Sequence, residues 1–88
     1  MRLDLHGLTI QQAHATFIET MAVAVACDVV SLEVITGQGR NAAGRIRHEF
    51  PIWAEINPLR MHIVSVTQEN KRNPGAFLVR LRKQHHVS

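Results

Sequence analysis

The chain has 88 residues, enough for one small domain and too few for a second hydrophobic core. Apolar residues make up 45% of the chain, so a thin fold of two layers is expected. No run of about eighteen apolar residues occurs, which argues against a membrane-spanning helix and against a membrane partner.

Charge is distributed unevenly along the chain. Residues 1–39 carry a net charge of −3 and residues 40–88 a net charge of +6, for a total of +3. Such asymmetry indicates a basic face for a polyanion such as nucleic acid. The alternative is a solvated surface that has no partner.

The chain begins directly with a strand-like run, so we expect no signal peptide and a cytoplasmic location. The single cysteine, Cys27, cannot form an intrachain disulfide, which fits a reducing compartment. Because free cysteine commonly behaves as a small buried hydrophobe, we predict that Cys27 is a core residue rather than a nucleophile.

Residues 2–6 alternate between apolar and polar side chains, which is typical of a short strand with one buried face. Leu3 and Leu5 are expected on the core side, and Asp4 and His6 on the opposite side. A glycine then ends the strand.

The first helix is predicted from a capping box formed by Thr9 and Gln12, and it extends to about Ala26. An apolar stripe along this helix is expected to face the core. The stripe consists of Ala13, Phe17, Met21 and Ala24, widened by Ile10, Ile18, Ala22 and Val25.

Ser31 to Thr36 form the second predicted strand. A strand, a helix and a second strand of these lengths make a right-handed crossover, so the two strands are expected to be parallel. Their carboxyl ends, and the polar motifs that follow them, are then expected at the same edge of the sheet.

The second helix is predicted after Asn41, which can cap it, with Ile46, Phe50, Trp53 and Ile56 on its apolar face. Pro51 lies inside this pattern and predicts a kink or two abutting helical pieces. Asn57-Pro58 is expected to end the helix.

The last part of the chain predicts two antiparallel strands, Arg60 to Thr67 and Ala76 to Arg82, joined by a polar loop from Gln68 to Gly75. The predicted fold class is therefore an α/β two-layer sandwich with the element order β-α-β-α-β-β. A four-stranded mixed sheet carries two helices on one face, and arginines lie on the uncovered face.

Four segments of the chain carry recognisable motifs: Leu3-Asp4-Leu5-His6-Gly7-Leu8-Thr9, Ala13-His14, Val34-Ile35-Thr36-Gly37-Gln38-Gly39-Arg40 and Gly75-Ala76-Phe77-Leu78-Val79-Arg80-Leu81-Arg82. In this order and spacing they resemble the small MutS-related (Smr) domain, in its stand-alone bacterial form, from about Arg2 to Lys83. We therefore expect an Smr domain over residues 1–83 and a disordered tail over residues 84–88.

The resemblance implies a fold similar to the C-terminal domain of bacterial translation initiation factor three. It also implies nucleic-acid binding and, in several members, endonuclease activity on DNA or on messenger RNA at stalled ribosomes. The family's acid-leucine-histidine motif corresponds to Asp4 and His6, which become the candidate catalytic residues. The second family motif is often His-Gly-x-Gly, and here Thr36 takes the place of its histidine.

The chemistry of the two candidate catalytic residues leaves alternatives open. An imidazole exchanges protons near neutral pH, so His6 could act as a general base or acid in phosphodiester cleavage, or could tie the strand end to a loop. Asp4 could orient that imidazole, hold a divalent ion, or accept a hydrogen bond from a backbone amide.

The predicted nucleic-acid-binding residues are glycines that let a phosphate approach the backbone and basic side chains that bind it. The glycines also suit a tight turn, and two of the arginines could be plain helix surface. The set comprises Gly37, Gln38, Gly39, Arg40, Arg45, Arg47, Lys71 and Arg72.

Other side chains carry weaker indications. His14 in the first helix is interpreted as a packed helix histidine, and Trp53 as a core residue rather than a base-stacking platform. No histidine or cysteine spacing matches a zinc pattern, so no metal site is assigned. The cofactor stays open: the sequence requires none, and a divalent metal is an alternative.

We predict a nucleic-acid-binding domain with endonuclease activity that cleaves RNA or nicks DNA. The alternative is a non-catalytic module that binds structured RNA, the ribosome or branched DNA, and a protein-interaction domain is a third. The expected assembly is a monomer or a weak dimer.

Overall fold

The computed structural model describes residues 1–37, 42–70 and 73–83, with the backbone alone at residues 42–44, 69–70 and 73–74. The predicted tail, residues 84–88, lies outside the described residues, as does Asn41. The elements in chain order are β1 (Arg2–Asp4), α1 (Ile10–Ala26), β2 (Ser31–Ile35), α2 (Ala42–Ala54), a 3-10 helix (Leu59–His62), β3 (Ile63–Asn70) and β4 (Asn73–Leu81).

Four strands form one mixed sheet in the order β1-β2-β4-β3. β1 and β2 are parallel, with Asp4 opposite Ile35, which confirms the predicted crossover. β4 is antiparallel to β2 and to β3, so the predicted pairing of the last two strands is also confirmed. The last strand along the chain therefore occupies an inner position of the sheet.

α1 forms as the sequence predicts. Thr9 accepts a hydrogen bond from the backbone of Gln12, and the Gln12 side chain accepts one from the Thr9 backbone. These two bonds satisfy amide groups that a helix start otherwise leaves unpaired. The predicted stripe is buried at Ala13, Phe17, Met21 and Ala24, whereas Ile18 and Ala22 at its margin are exposed.

α2 runs through Pro51 as one helix, so the predicted division into two pieces is wrong. A proline removes one amide donor, and α2 ends three residues later at Ala54. Ile56 was expected on the apolar face but is 52% exposed, because it lies beyond the end of the helix.

The boundaries of all four strand predictions were wrong. β3 begins at Ile63 rather than Arg60, because the 3-10 helix occupies the preceding residues. The predicted polar loop Gln68–Gly75 is mostly strand, with Asn70 paired to Asn73. Backbone hydrogen bonds between antiparallel neighbours do not depend on apolar side chains, so the hairpin extends into a polar stretch. β1 and β2 are each shorter than predicted, ending at Asp4 and Ile35.

Cys27 is exposed, so the prediction of a core cysteine is wrong. It caps the carboxyl end of α1, where its amide donates to the Val23 carbonyl at 2.9 Å. Because the helix ends at Ala26, Cys27 lies past the buried stripe and faces solvent.

The core fills the space between the helices and one face of the sheet, as the two-layer prediction requires. Aromatic rings connect the layers: Phe50 of α2 lies 4.8 Å from Phe17 of α1 and 5.1 Å from Phe77 of β4, between ring centroids. The other face of the sheet carries exposed Arg2, Asp4 and Arg80. None of the described helices is long and apolar enough to cross a membrane.

Candidate nucleic-acid interface

The parallel strands β1 and β2 end side by side, and we call this side of the sheet the carboxyl edge. The Leu5 amide, just past β1, donates to the Ile35 carbonyl at the end of β2, with an N···O distance of 2.7 Å. β4 is antiparallel to β2 and to β3. It therefore begins at the edge where β2 ends, and β3 ends at that edge as well. Both α-helices begin after these strand ends, so their amino termini lie on this side of the domain.

The turn after β1 is held by Asp4. Its carboxylate accepts a hydrogen bond from the backbone amide of His6 at 2.9 Å, and the Leu8 amide donates to the Leu5 carbonyl at 3.2 Å. Gly7 adopts a positive φ of 83°, a conformation that favours glycine. Of the three roles open to Asp4, the bond to a backbone amide is the one that the structure contains.

Asp4 and His6 are both exposed at the carboxyl edge. The hydrogen bond from Asp4 goes to the His6 backbone, so it fixes the base of the side chain and leaves the imidazole facing solvent. A proton-exchanging group on an exposed strand end can meet a substrate without any movement of the fold.

The turn after β2 is organised around the carbonyl of Gly75. This oxygen accepts from the Thr36 amide at 2.6 Å, from the Gly37 amide at 3.1 Å and from the Thr36 hydroxyl at 3.1 Å. Gly75 opens the last motif of the family resemblance, but the sequence predicts no contact for it. Its carbonyl fastens the end of β2 to β4.

Thr36 is 0% exposed. It continues the inward-facing series of Leu32 and Val34, and its hydroxyl is satisfied within the fold. At the position where the family often has histidine, this chain therefore has a side chain that contacts the interior and offers nothing to the carboxyl edge. Gly37 follows with a positive φ of 84°, which supports the interpretation of this glycine as a turn residue.

The basic residues divide into those that the structure describes and those that it does not. Arg45 is exposed one turn into α2, and Arg47 is partly buried farther along the same helix. Outside the described residues lie Gln38, Gly39, Arg40, Lys71 and Arg72. In the chain they fall between β2 and α2 and between β3 and β4.

Trp53 and His14 pack against each other on the helix side of the domain. Their ring centroids are 4.8 Å apart, and Trp53 is 7% exposed, which confirms it as a core residue. His14 is partly buried, in agreement with the interpretation of a packed helix histidine. Neither ring is presented at the carboxyl edge.

Metal ligands are sparse in the described part of the chain. It contains no group of three or more His, Cys, Asp and Glu side chains placed to hold an ion. Among the side chains that the structure describes at the carboxyl edge, the Asp4 carboxylate and the His6 imidazole are groups of this kind.

Comparison with known proteins agrees with this fold. The family model of the Smr domain matches residues 3–82. The structure is similar to YdaL, a stand-alone small MutS-related protein from Escherichia coli, with a TM-score of 0.80 and 20% identity, over 93% of this chain and 64% of YdaL. It is also similar to the Smr domain of Thermus thermophilus MutS2, with a TM-score of 0.79 and 22% identity, over 92% of this chain and 96% of that one.

This chain thus spans less than two thirds of YdaL. No curated protein sequence matches it. At these identities, the two similar structures establish the fold alone.

Proposed function

This chain belongs to the Smr domain family, and from that premise we propose that it is an RNA endonuclease whose site is the carboxyl edge. The observation that carries the proposal is the exposed His6 imidazole, held at its backbone by Asp4 and placed beside the end of β2. Binding is assigned to the amino termini and basic residues around that edge, and cleavage to His6.

Nucleic-acid binding is supported by the charges near the edge. α1 and α2 both begin there, and the dipole of a helix favours negative charge at its amino terminus. Arg45 extends from the first turns of α2, and no acidic side chain occurs in the first turn of either helix. A phosphate at the edge would therefore meet positive potential from two helices and one guanidinium.

The proposed cleavage step uses the His6 imidazole at the carboxyl edge as its general base. Neutral His6 takes the proton from a ribose 2′-hydroxyl, and the 2′-oxygen forms a bond to phosphorus. The bond from phosphorus to the 5′-oxygen breaks, and that oxygen takes a proton from water or from the imidazolium. The products are a 2′,3′-cyclic phosphate and a 5′-hydroxyl, and DNA is spared because it lacks the attacking group.

Asp4 is a positioning residue in this scheme. Its hydrogen bond to the His6 amide fixes the direction in which the imidazole leaves the strand. Positioning matters because a displacement of about 1 Å in a catalytic group can cost on the order of a hundredfold in rate.

A second candidate is a non-catalytic module that binds structured RNA, the ribosome or branched DNA. Thr36 favours it, because a buried hydroxyl at this position supplies no second imidazole to protonate the leaving oxygen. Both candidates share the binding surface and differ in the role of His6.

The test is incubation of the purified protein and of His6→Ala with end-labelled RNA and DNA of one sequence, with and without EDTA. We expect RNA cleavage by the unaltered protein in EDTA, with 2′,3′-cyclic ends, and none by His6→Ala. RNA binding without cleavage would support the non-catalytic module. DNA nicking that needs magnesium and fails in EDTA would replace this mechanism with a metal-dependent one.

A further inference from the structure

The sheet face opposite the helices carries an exposed arginine, Arg80, that is not part of the carboxyl edge. We call it the open face; its members are Arg2, Asp4, Ser31, Glu33, Ile35, Ser65, Thr67, Leu78 and Arg80. We propose that single-stranded RNA bound at the carboxyl edge continues across the open face and that Arg80 binds its phosphate backbone. This inference rests on the proposed function and adds a second contact surface to it.

Arg80 is exposed and lies on an inner strand of the sheet. Its neighbours across the sheet are Ser31 on β2 and Ser65 on β3. Both neighbours have short, neutral side chains, and the nearest carboxylate on the adjacent strand, that of diagonal Glu33, is paired with Arg2. A phosphate can therefore approach Arg80 without displacing an acidic partner.

Arg2 on the same face is in a different situation. Its guanidinium lies 3.4 Å from the Glu33 carboxylate, and this is the one ion pair among the described residues. Glu33 neutralises Arg2 and leaves Arg80 as the unpaired guanidinium in the described part of the sheet. Of the two arginines in the described strands of the open face, Arg2 is compensated by Glu33 and Arg80 is not.

The open face is continuous with the proposed cleavage site. Asp4 is opposite Ile35, and Arg80 is opposite Ser31, four residues back along β2. At about 3.3 Å per residue along the strands and about 4.8 Å between neighbouring strands, Asp4 and Arg80 are roughly 16 Å apart across the sheet. That length corresponds to about five nucleotides at the roughly 3.4 Å rise of a stacked strand.

The open face can bind a nucleic-acid backbone but has little with which to bind bases. The chain has three phenylalanines, one tryptophan and no tyrosine. All four rings are buried in the core, so none forms a stacking platform on the open face. Half-buried Ile35 and Leu78 supply limited apolar contact. We therefore expect binding there to be electrostatic, salt-dependent and indifferent to sequence.

The experiment measures the affinity of a labelled twelve-nucleotide RNA by fluorescence anisotropy over a salt series. Arg80→Gln is expected to weaken binding about threefold to tenfold and to lower the salt slope by about 0.7, the value for one single-strand phosphate contact. Glu33→Gln is expected to tighten binding about twofold, because it releases Arg2.

Arg60→Gln is the matched control. Arg60 is also exposed and its loss changes the net charge equally, but it lies in the 3-10 helix, away from the open face. If Arg60→Gln weakens binding as much as Arg80→Gln, the net charge alone matters and the open-face contact is wrong. A salt slope that is unchanged in Arg80→Gln overturns it equally.

Cleavage kinetics separate this inference from the proposed function. Arg80 is far from the imidazole, so Arg80→Gln should raise KM and leave kcat unchanged. If the unaltered protein binds and cleaves RNA while Arg80→Gln behaves like Arg60→Gln, the open-face contact alone is overturned. If the unaltered protein binds no RNA, both proposals are overturned together.

Discussion

β1 and β2 run side by side and stop at the same edge, but they carry different residues at matching positions there. At the end of β1, Asp4 and His6 face solvent, and Leu5 between them is buried. Past the end of β2, Thr36 faces the core and bonds to the Gly75 carbonyl. His6 and Gly37 each lie two residues beyond the last paired residues, Asp4 and Ile35, so an imidazole at one strand end corresponds to a glycine at the other.

The difference shows how strand alternation assigns roles at this edge. Side chains of a strand point alternately to its two faces, so a polar residue belongs to the surface or to the interior according to its parity. Thr36 is an even number of residues from Leu32 and Val34, so its side chain points inward as theirs do. Its hydroxyl donates a hydrogen bond to the Gly75 carbonyl of β4. At the end of β1, His6 is therefore available to a ligand. At the end of β2, Thr36 instead holds two strands together.

The largest expected effect separates these two roles. His6→Ala should reduce RNA cleavage by about a hundredfold to ten-thousandfold, the range for loss of a general base, while the melting temperature stays unchanged. Thr36→Val should do the reverse: cleavage persists, and the free energy of unfolding falls by about 1 kcal/mol as a hydroxyl bond is lost. Cleavage assays and urea unfolding of both variants test the pattern. A folded Thr36→Val protein that cannot cleave would contradict the assignment of roles.

The sequence predicted the parts of this edge that depend on local periodicity. The capping box of Thr9 and Gln12 sets the start of α1, and alternation over residues 2–6 separates Leu5 from His6. Both signals involve neighbouring residues, so the sequence alone carries them. The parallel arrangement of β1 and β2 followed from the length of the crossover.

The features that the sequence did not predict depend on distant partners. The inward role of Thr36 needs the Gly75 carbonyl, which comes from β4, 39 residues away along the chain. The polar stretch that was predicted as a loop became strand because β3 and β4 pair through their backbones. The exposure of Cys27 depends on where α1 ends, and an apolar run does not mark that position. Roles for the site residues, including Arg45, remain predictions.

Substitutions of Asp4 have the next largest expected effect. We compare two that differ in whether an oxygen acceptor remains. Asp4→Ala removes the acceptor for the His6 amide and should lower cleavage by about tenfold to a hundredfold, because the imidazole loses its fixed direction. Asp4→Asn keeps an oxygen acceptor and should retain most of the activity. The two variants are compared by single-turnover cleavage of RNA.

Equal losses in Asp4→Asn and Asp4→Ala would show that the negative charge matters rather than the hydrogen bond. That result would favour a role in orienting the imidazole electrostatically or in holding a divalent ion.

Thr36→His tests whether the second strand end can be made like the first. The position is fully buried, so the larger ring should overpack the interior and lower the free energy of unfolding by about 1–3 kcal/mol. We expect no gain in cleavage. Ser31→His is the matched control, since Ser31 is exposed on the same strand and should change stability by less than about 0.5 kcal/mol. Faster cleavage by Thr36→His would mean that a side chain at this position can reach the surface.

The smallest expected effect concerns the turn that presents His6. Gly7 has a φ of 83°, and no described atom lies within 4 Å of a β-carbon placed on it. A substitution there therefore meets conformational strain without a steric clash, and Gly7→Ala should lower the free energy of unfolding by about 1 kcal/mol. Gly7→Asn should cost less, because asparagine tolerates a positive φ better than alanine. Urea unfolding of both variants measures the difference, and equal costs for alanine and asparagine would show that strain at this turn is not what limits the substitution.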